Sequence, residues 1–441
     1  MSASPISSRR IHSLDLLRGG GILVILIIHR LHYHWAGLSG KEAVRAELAG
    51  PLKPLVILTI ALFTMAGVFY FVTGFVNAYS VTNRIRAGAS RAVAMRGAIV
   101  AGLWLIGLNY VYRVFLSNGF QTGVGGEAPR FPAGILAGWI RYGQAPPFRW
   151  SQVTEPGTLA LIGWILIIVT LLLVWRLPKR QEAPGSLEVG PNLGVLAVCA
   201  VLISPALKFF LRPAYESALA SGRILRATAL GLLSDEFGLF PYLAFGLVGA
   251  VLGVAVSRGG ALPAIRKRAS LGSLGLVAVA IAALLASDRH SEFGRRVMGV
   301  AVSAAELSLF VVFWVVLSKI FDDADSSRRH NWFIRGIARF GAVALTVYML
   351  EGILAETLAR LLNVGFGQAW SKSYFLVFAF GILCAAVWWA ALIVWEKGKF
   401  CASLEWVSVK LLRTLGKKES GKLRNNLATE TTENTEVASL P

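Results

Sequence analysis

IHSLDLLRGGGILVILIIHRLHYHW, residues 11–35, sets the reading of the whole chain. It is an apolar run with Asp15 and Arg18 at its front and His29, His32 and His34 at its back. On an α-helix advancing about 100° per residue, Asp15, Arg18, His29 and His32 fall on one stripe. Ionisable groups on a helix apolar enough to enter a bilayer are costly there, so they face a bundle interior or a water-filled path. That stripe is a functional-site candidate, with His29 about 16 Å beyond Arg18 along the helix axis.

Composition points the same way. Of 441 residues, 55% are hydrophobic and 15% charged, and the mean hydropathy is +0.62. Apolar runs near twenty residues, separated by polar loops, are the pattern of a polytopic helical membrane protein. The net charge of +20 would suit nucleic acid, but most Lys and Arg sit beside the ends of apolar runs. Cationic loops flanking spans are the positive-inside signature, which argues for a lipid bilayer as partner and against nucleic acid. Cys199, Cys384 and Cys401 are scattered, with neither metal-ligand nor disulfide spacing. The first apolar run lacks a cleavage pattern before its histidines, so it is expected to stay as a signal anchor.

Taken in order, the apolar runs predict spans at Leu16–Leu31, Leu55–Tyr79, Gly97–Leu116, Thr158–Trp175 and Leu193–Leu211, the last bent near Pro205. Five more follow at Leu239–Val256, Leu271–Ala286, Val297–Ile320, Phe340–Leu362 and Tyr374–Trp395. With the N-terminus in the cytoplasm, the loops after even-numbered spans and both termini carry the larger share of the 44 basic residues. The fold expected is therefore all-α: a polytopic transmembrane helix bundle of about ten spans, both ends cytoplasmic. Residues 1–14 form a cytoplasmic lead and 15–396 the transmembrane domain. In 397–418, Phe400, Leu404, Val407, Leu411 and Leu415 recur at helical spacing, as in an amphipathic helix lying on the membrane surface. Residues 419–441 are polar and read as a disordered tail.

Within this frame His29 is suited to general-base work, because imidazole ordinarily titrates near neutrality. Arg18, at the cytoplasmic mouth, is suited to gripping phosphates bidentately; its plainer reading is a positive-inside anchor. The cationic loop opened by Arg84 and Arg86 lies on the same side and is expected to help hold a phosphorylated donor. His32, His34 and Trp35 are candidate acceptor-binding groups beyond His29.

The stretch LDLLRGGGILVILIIH, an SLD-x-LRG entry with Arg18, ten residues and then His29, resembles the first span of the transmembrane acyltransferases. That superfamily takes in the type-3 acyltransferases and the heparan-α-glucosaminide N-acetyltransferase-like proteins. GTLALIGWILII at 157–168, LFPYLAFGLVGAVLG at 239–253 and RFGAVALTVYMLEGIL at 339–354 are similar to the latter branch. The resemblance implies a membrane enzyme that moves an acyl group from cytoplasmic acyl-CoA to a carbohydrate or other acceptor. It places His29 as the catalytic histidine and Arg18 as its paired arginine, with Asp15 in the same motif.

Four further positions are singled out. Glu155, before the fourth span, either orients His29 or binds acceptor hydroxyls, or it is simply an acid favoured at a helix entry. Tyr348 and Glu351 share a face of the ninth span, where a carboxylate pairs with a buried arginine or lines a path. Glu306 in the eighth span poses the same question. The function expected is transfer of an acyl group, most simply acetyl, from acetyl-CoA to a hydroxyl or amine of a glycan or other envelope component. The setting expected is a bacterial inner membrane, with no metal and no bound cofactor beyond the acyl-CoA donor. The rival class is a proton-coupled transporter or flippase using His29, Glu306 and Glu351 as a relay.

Overall fold

The computed structural model describes residues 11–36, 50–63, 66–120, 132–176, 189–235, 238–288, 290–323 and 331–411. Most of the 1–14 lead, residues 412–418 of the expected surface helix and the 419–441 tail lie outside the described residues.

Helix α1 (His12–Arg30) passes into one wide π-helical turn, Leu31–Ala36. Then come α2 (Lys53–Phe63), α3 (Gly67–Arg86) and α4 (Arg91–Val111), the last also ending in a π-helical turn, Tyr112–Leu116. A short α5 (Ile135–Tyr142) precedes α6 (Thr158–Arg176), α7 (Val189–Ala220), α8 (Ile224–Ser234) and α9 (Leu239–Ser257). The chain continues through α10 (Leu262–Ala286), α11 (Glu292–Phe321), α12 (Trp332–Ala342), α13 (Ala344–Phe366) and α14 (Tyr374–Lys397), and closes with a helical segment at 404–411. Side-chain caps mark several starts. Ser90, Ser291, Asn331 and Ser373 accept from backbone N–H groups of α4, α11, α12 and α14, the donors a helix start otherwise leaves unsatisfied.

Among the described residues, seven helices are long and apolar enough to cross a membrane: α4, α6, α7, α9, α10, α11 and α14. The pair α12–α13 makes an eighth if it is taken as one bent span. The protein is thus an all-helical, multi-pass membrane protein. Two of the expected spans contain more than one helix. Among the described residues the run at 55–79 comprises α2 and α3, on either side of residues 64–65, and α3 holds Asn77, Asn83, Arg84 and Arg86 along its second half. The run at 340–362 is broken at Val343, where the backbone leaves helical geometry and the two halves meet at 88°. Helix α7 runs through Pro205 and Pro213 as one unbroken helix.

The bend at Val343 lies beside a close packing contact. A methyl group built on Gly341 would collide with the backbone oxygen of Asp15, and one on Gly19 with that of Ile337. Backbone-to-backbone contact of α1 with α12 therefore depends on a glycine from each helix. That contact holds α12 closely along α1, while α13, beyond the bend, touches α1 less.

Helix α1 is the inner helix. Leu14, Leu17, Ile22, Ile25, Leu26 and Ile28 are all buried, so it has no apolar face turned outward. It packs on α12, α14, α11 and α3. Helices α3 and α9 form the closest pair in the bundle, around Phe71, Phe75, Phe245, Phe310 and Trp314. One end of the bundle collects the cations. There Ser13 at the start of α1 donates to Asp322, Arg86 donates to the Ser257 carbonyl, and Arg266 pairs with Asp323 at 2.6 Å. Arg339 pairs with Glu396 at the same end. Arg18 lies near this end of α1, and His29 near the other.

Candidate active site

His29 sits in the last turn of α1 with its side chain 13% exposed, turned into the bundle. Its Nδ1 lies 2.8 Å from Glu351 Oε1, on α13. A carboxylate only accepts, so Nδ1 carries the proton in that bond and Nε2 is left as the basic nitrogen. Glu351 is itself fixed from three sides. Arg30, fully buried, donates to Oε2, and Asn118 donates to Oε1 at 3.2 Å. The carboxylate therefore sits beside a guanidinium and presents one oxygen to the imidazole.

A second buried layer lies just beyond. Glu356, one turn further along α13, has His34 Nε2 at 3.4 Å and Arg141 at 3.7 Å. Arg141, from α5, also donates to the carbonyls of Tyr33 and Gly119 and so ties the two π-helical regions together. His32 meets Tyr33 edge-on, with Phe120 beside them. Such wide turns put successive side chains out of ordinary helical register and recur at functional sites. His29 and Arg30, the last residues of α1, and His34, in the π-helical turn that follows, all meet carboxylates of α13.

Glu155 is placed differently from the reading that had it orient His29. It receives Arg113 at 3.4 Å and the Tyr215 hydroxyl at 3.4 Å. Arg113 also donates to the carbonyls of Ser151 and Gln152. Glu155 thus steadies the π-helical turn that leads to Asn118. The acid on His29 is Glu351. Trp35 is buried against Tyr374 and His34 lies between Trp370 and Phe380, so both are packed into the apolar cluster behind the site.

At the cationic end, Arg18 donates to the Gly341 carbonyl at 3.2 Å and lines a cavity of about 310 Å³. Ile22, Phe69, Thr73, Trp104 and Leu159 form its walls, and Tyr348 lines it too. Tyr348 stands against Tyr112 one helical turn from Glu351, so the cavity reaches to within a turn of that carboxylate; neither Glu351 nor His29 lines it. Asp15 is half-buried on the neighbouring turn. Arg84 and Arg86 do not line this cavity; Arg86 instead closes onto α9 through Ser257.

The segment at 404–411 supplies the remaining wall with Glu405, Ser408 and Leu411. Glu405 accepts from the backbone N–H groups of Leu345 and Thr346 and from the Thr346 hydroxyl, at 2.6, 3.3 and 2.6 Å. It thereby caps α13 from across the chain. Trp104 donates to Ser408 at 2.9 Å. The amphipathic stripe read at 397–418 is, over these residues, docked on the bundle.

Arg30, Asn118, Glu356, Arg141 and Glu405 are the polar residues that sequence reasoning passed over. Only Arg30 and Glu356 carried a signal, each being an ionisable residue inside or at the edge of a run already marked as apolar. No group of three or more His, Cys, Asp or Glu placed to hold a metal occurs among the described residues. A scan against protein families and a search of curated proteins both return no match to this chain.

Proposed function

We propose that this protein is an integral membrane acyltransferase, in which His29 acts as general base on an acceptor hydroxyl or amine. The observation that carries the reading is the hydrogen bond from His29 Nδ1 to the buried Glu351 carboxylate. A carboxylate behind an imidazole fixes its tautomer and steadies the positive charge that develops when it takes a proton. In the proposed reaction, the acceptor O–H or N–H gives its proton to His29 Nε2 as its heteroatom attacks the thioester carbonyl. The C–S bond then breaks, and the thiolate leaves with the proton His29 held. Acyl-CoA enters from the cytoplasm with its phosphates at Arg18 and its acyl arm in the cavity that ends at Tyr348. The resemblance of the α1 motif to transmembrane acyltransferases supports the same assignment.

The topology that fits this reading has ten crossings, α1 and α3 included, with both termini in the cytoplasm of a bacterial inner membrane. The acceptor class is a carbohydrate or other envelope component reached from the far end, where His32 is placed. A proton-coupled transporter is the second reading, favoured by Glu306 on α11, whose Oε1 is buried without a hydrogen-bond partner among the described residues. Mass spectrometry of envelope glycans and lipids, with and without the protein, separates the two. The enzyme predicts the loss of an acyl mass from an envelope component when the protein is removed. Unchanged acylation, together with substrate movement in vesicles free of any CoA compound, would select the transporter.

A further inference from the structure

A second cavity, of about 620 Å³, lies in the other half of the bundle, between α7 and α9 on one side and α10 and α11 on the other. Its walls are Val201, Val248, Leu276, Val279, Leu307 and similar apolar side chains. Its charged lining residues are Arg258 and Arg268, both at the cationic end, and no acidic residue lines it among the described residues. Arg86 reaches the same spot through its bond to the Ser257 carbonyl. From Arg258 back to Val248 along α9 is about 15 Å, and from Arg268 to Val279 along α10 about 16 Å. One leaflet of hydrocarbon is about that deep, half of a core of roughly 30 Å. Exposed Val198 and Gly272 stand on facing helices of this cavity, so its side is open to the surrounding lipid.

We infer that this crevice binds an anionic glycerophospholipid from the leaflet at the cationic end, its phosphate between Arg258 and Arg268 and one acyl chain along α9 and α10. The match is one of charge and of length together. A cationic rim alone draws any anion, and an apolar slot alone draws any tail; the two in line, one leaflet deep, select a lipid with a negative head. The site is separate from the Arg18 cavity and stands whether or not the transferase assignment does.

The test uses the full-length protein in detergent and measures binding of a fluorescent-tailed phosphatidylglycerol, with phosphatidylcholine and inorganic phosphate as competitors. Arg268→Gln, at an exposed position, should weaken phosphatidylglycerol binding roughly fivefold, and Arg258→Gln with Arg268→Gln about thirtyfold. Gly272→Trp should abolish binding without changing charge. A side chain there enters open space, and replacing glycine favours the α10 helix, so the variant is expected to fold. Phosphatidylcholine should compete poorly and inorganic phosphate not at all. Equal competition by phosphatidylcholine, displacement by inorganic phosphate, or full binding in Arg268→Gln and Gly272→Trp would each overturn the assignment.

Discussion

Helices α1 and α10 differ in where they put charge and where they put apolar surface. Helix α1 buries its leucines and isoleucines on all sides and ends in Arg30, a fully buried arginine answered by Glu351. Helix α10 is longer and leaves Leu271, Leu274 and Leu285 exposed at 60%, 65% and 81%, while Arg266, Lys267 and Arg268 are confined to its start. Beyond Ile265 and Arg266 its buried residues are small, Ala269, Ser273 and Ala283, with Ser273 paired to Ser308 of α11 at 2.7 Å. Soluble proteins sort residues the other way. In lipid the outer surface is the apolar one, and the interior takes the polar groups that must meet one another. The buried polar cluster of His29, Arg30 and Glu351 accordingly sits at the end of α1, the inner helix.

Substitutions can break this contrast, and they rank by how far each disturbs the interior. Glu351→Ala strands Arg30 and should cost about 3–5 kcal/mol in unfolding measurements. Adding Arg30→Met to Glu351→Leu should recover much of that loss, since no uncompensated charge remains. Failure of the double variant to recover would mean that Asn118 and His29 need the acid for packing as well. Next comes Gly341→Val, which drives a side chain into the α1 backbone at Asp15 and should cost about 1–3 kcal/mol or more by thermal melting. A Glu405→Ala change removes the cap on α13 and should lower stability by about 1 kcal/mol. It should also free the 404–411 segment, read as faster amide exchange there. At the opposite extreme, Leu274→Ala on the lipid face of α10 should stay within about 0.5 kcal/mol of the parent. A large loss at Leu274 would show that this face packs on protein.

The apolar runs made the helical membrane architecture legible from composition and spacing, because a bilayer demands long uncharged helices. The front of α1 was legible too, since Arg18 and His29 are eleven residues apart on a helix and keep one face. Glu351 stood out as an acid in an apolar run, but not as the partner of His29. The two are 322 residues apart in sequence, and no local pattern reports which distant acid a histidine meets. Glu155, for which orienting His29 was one of the readings open in sequence, meets Arg113 and Tyr215 instead. Arg30 was hidden by looking like an ordinary cation at the end of a span. The bend at Val343 had no proline to announce it; Gly341 beside it meets the Asp15 backbone of α1, a contact between residues 326 apart in sequence that no local pattern marks. Alternate pairings such as Glu405 on α13 were invisible for the same reason: capping across the chain leaves no mark beside the helix it caps.

The central claim is that the imidazole held by Glu351 removes the acceptor proton. It is tested most directly by reconstituting the full-length protein and its His29→Ala variant in vesicles, with labelled acetyl-CoA and an envelope glycan extract as acceptor. The account predicts label transfer by the parent and a loss of about 10²- to 10⁴-fold in His29→Ala, with membrane insertion and melting temperature unchanged. Undiminished transfer by the variant would contradict it.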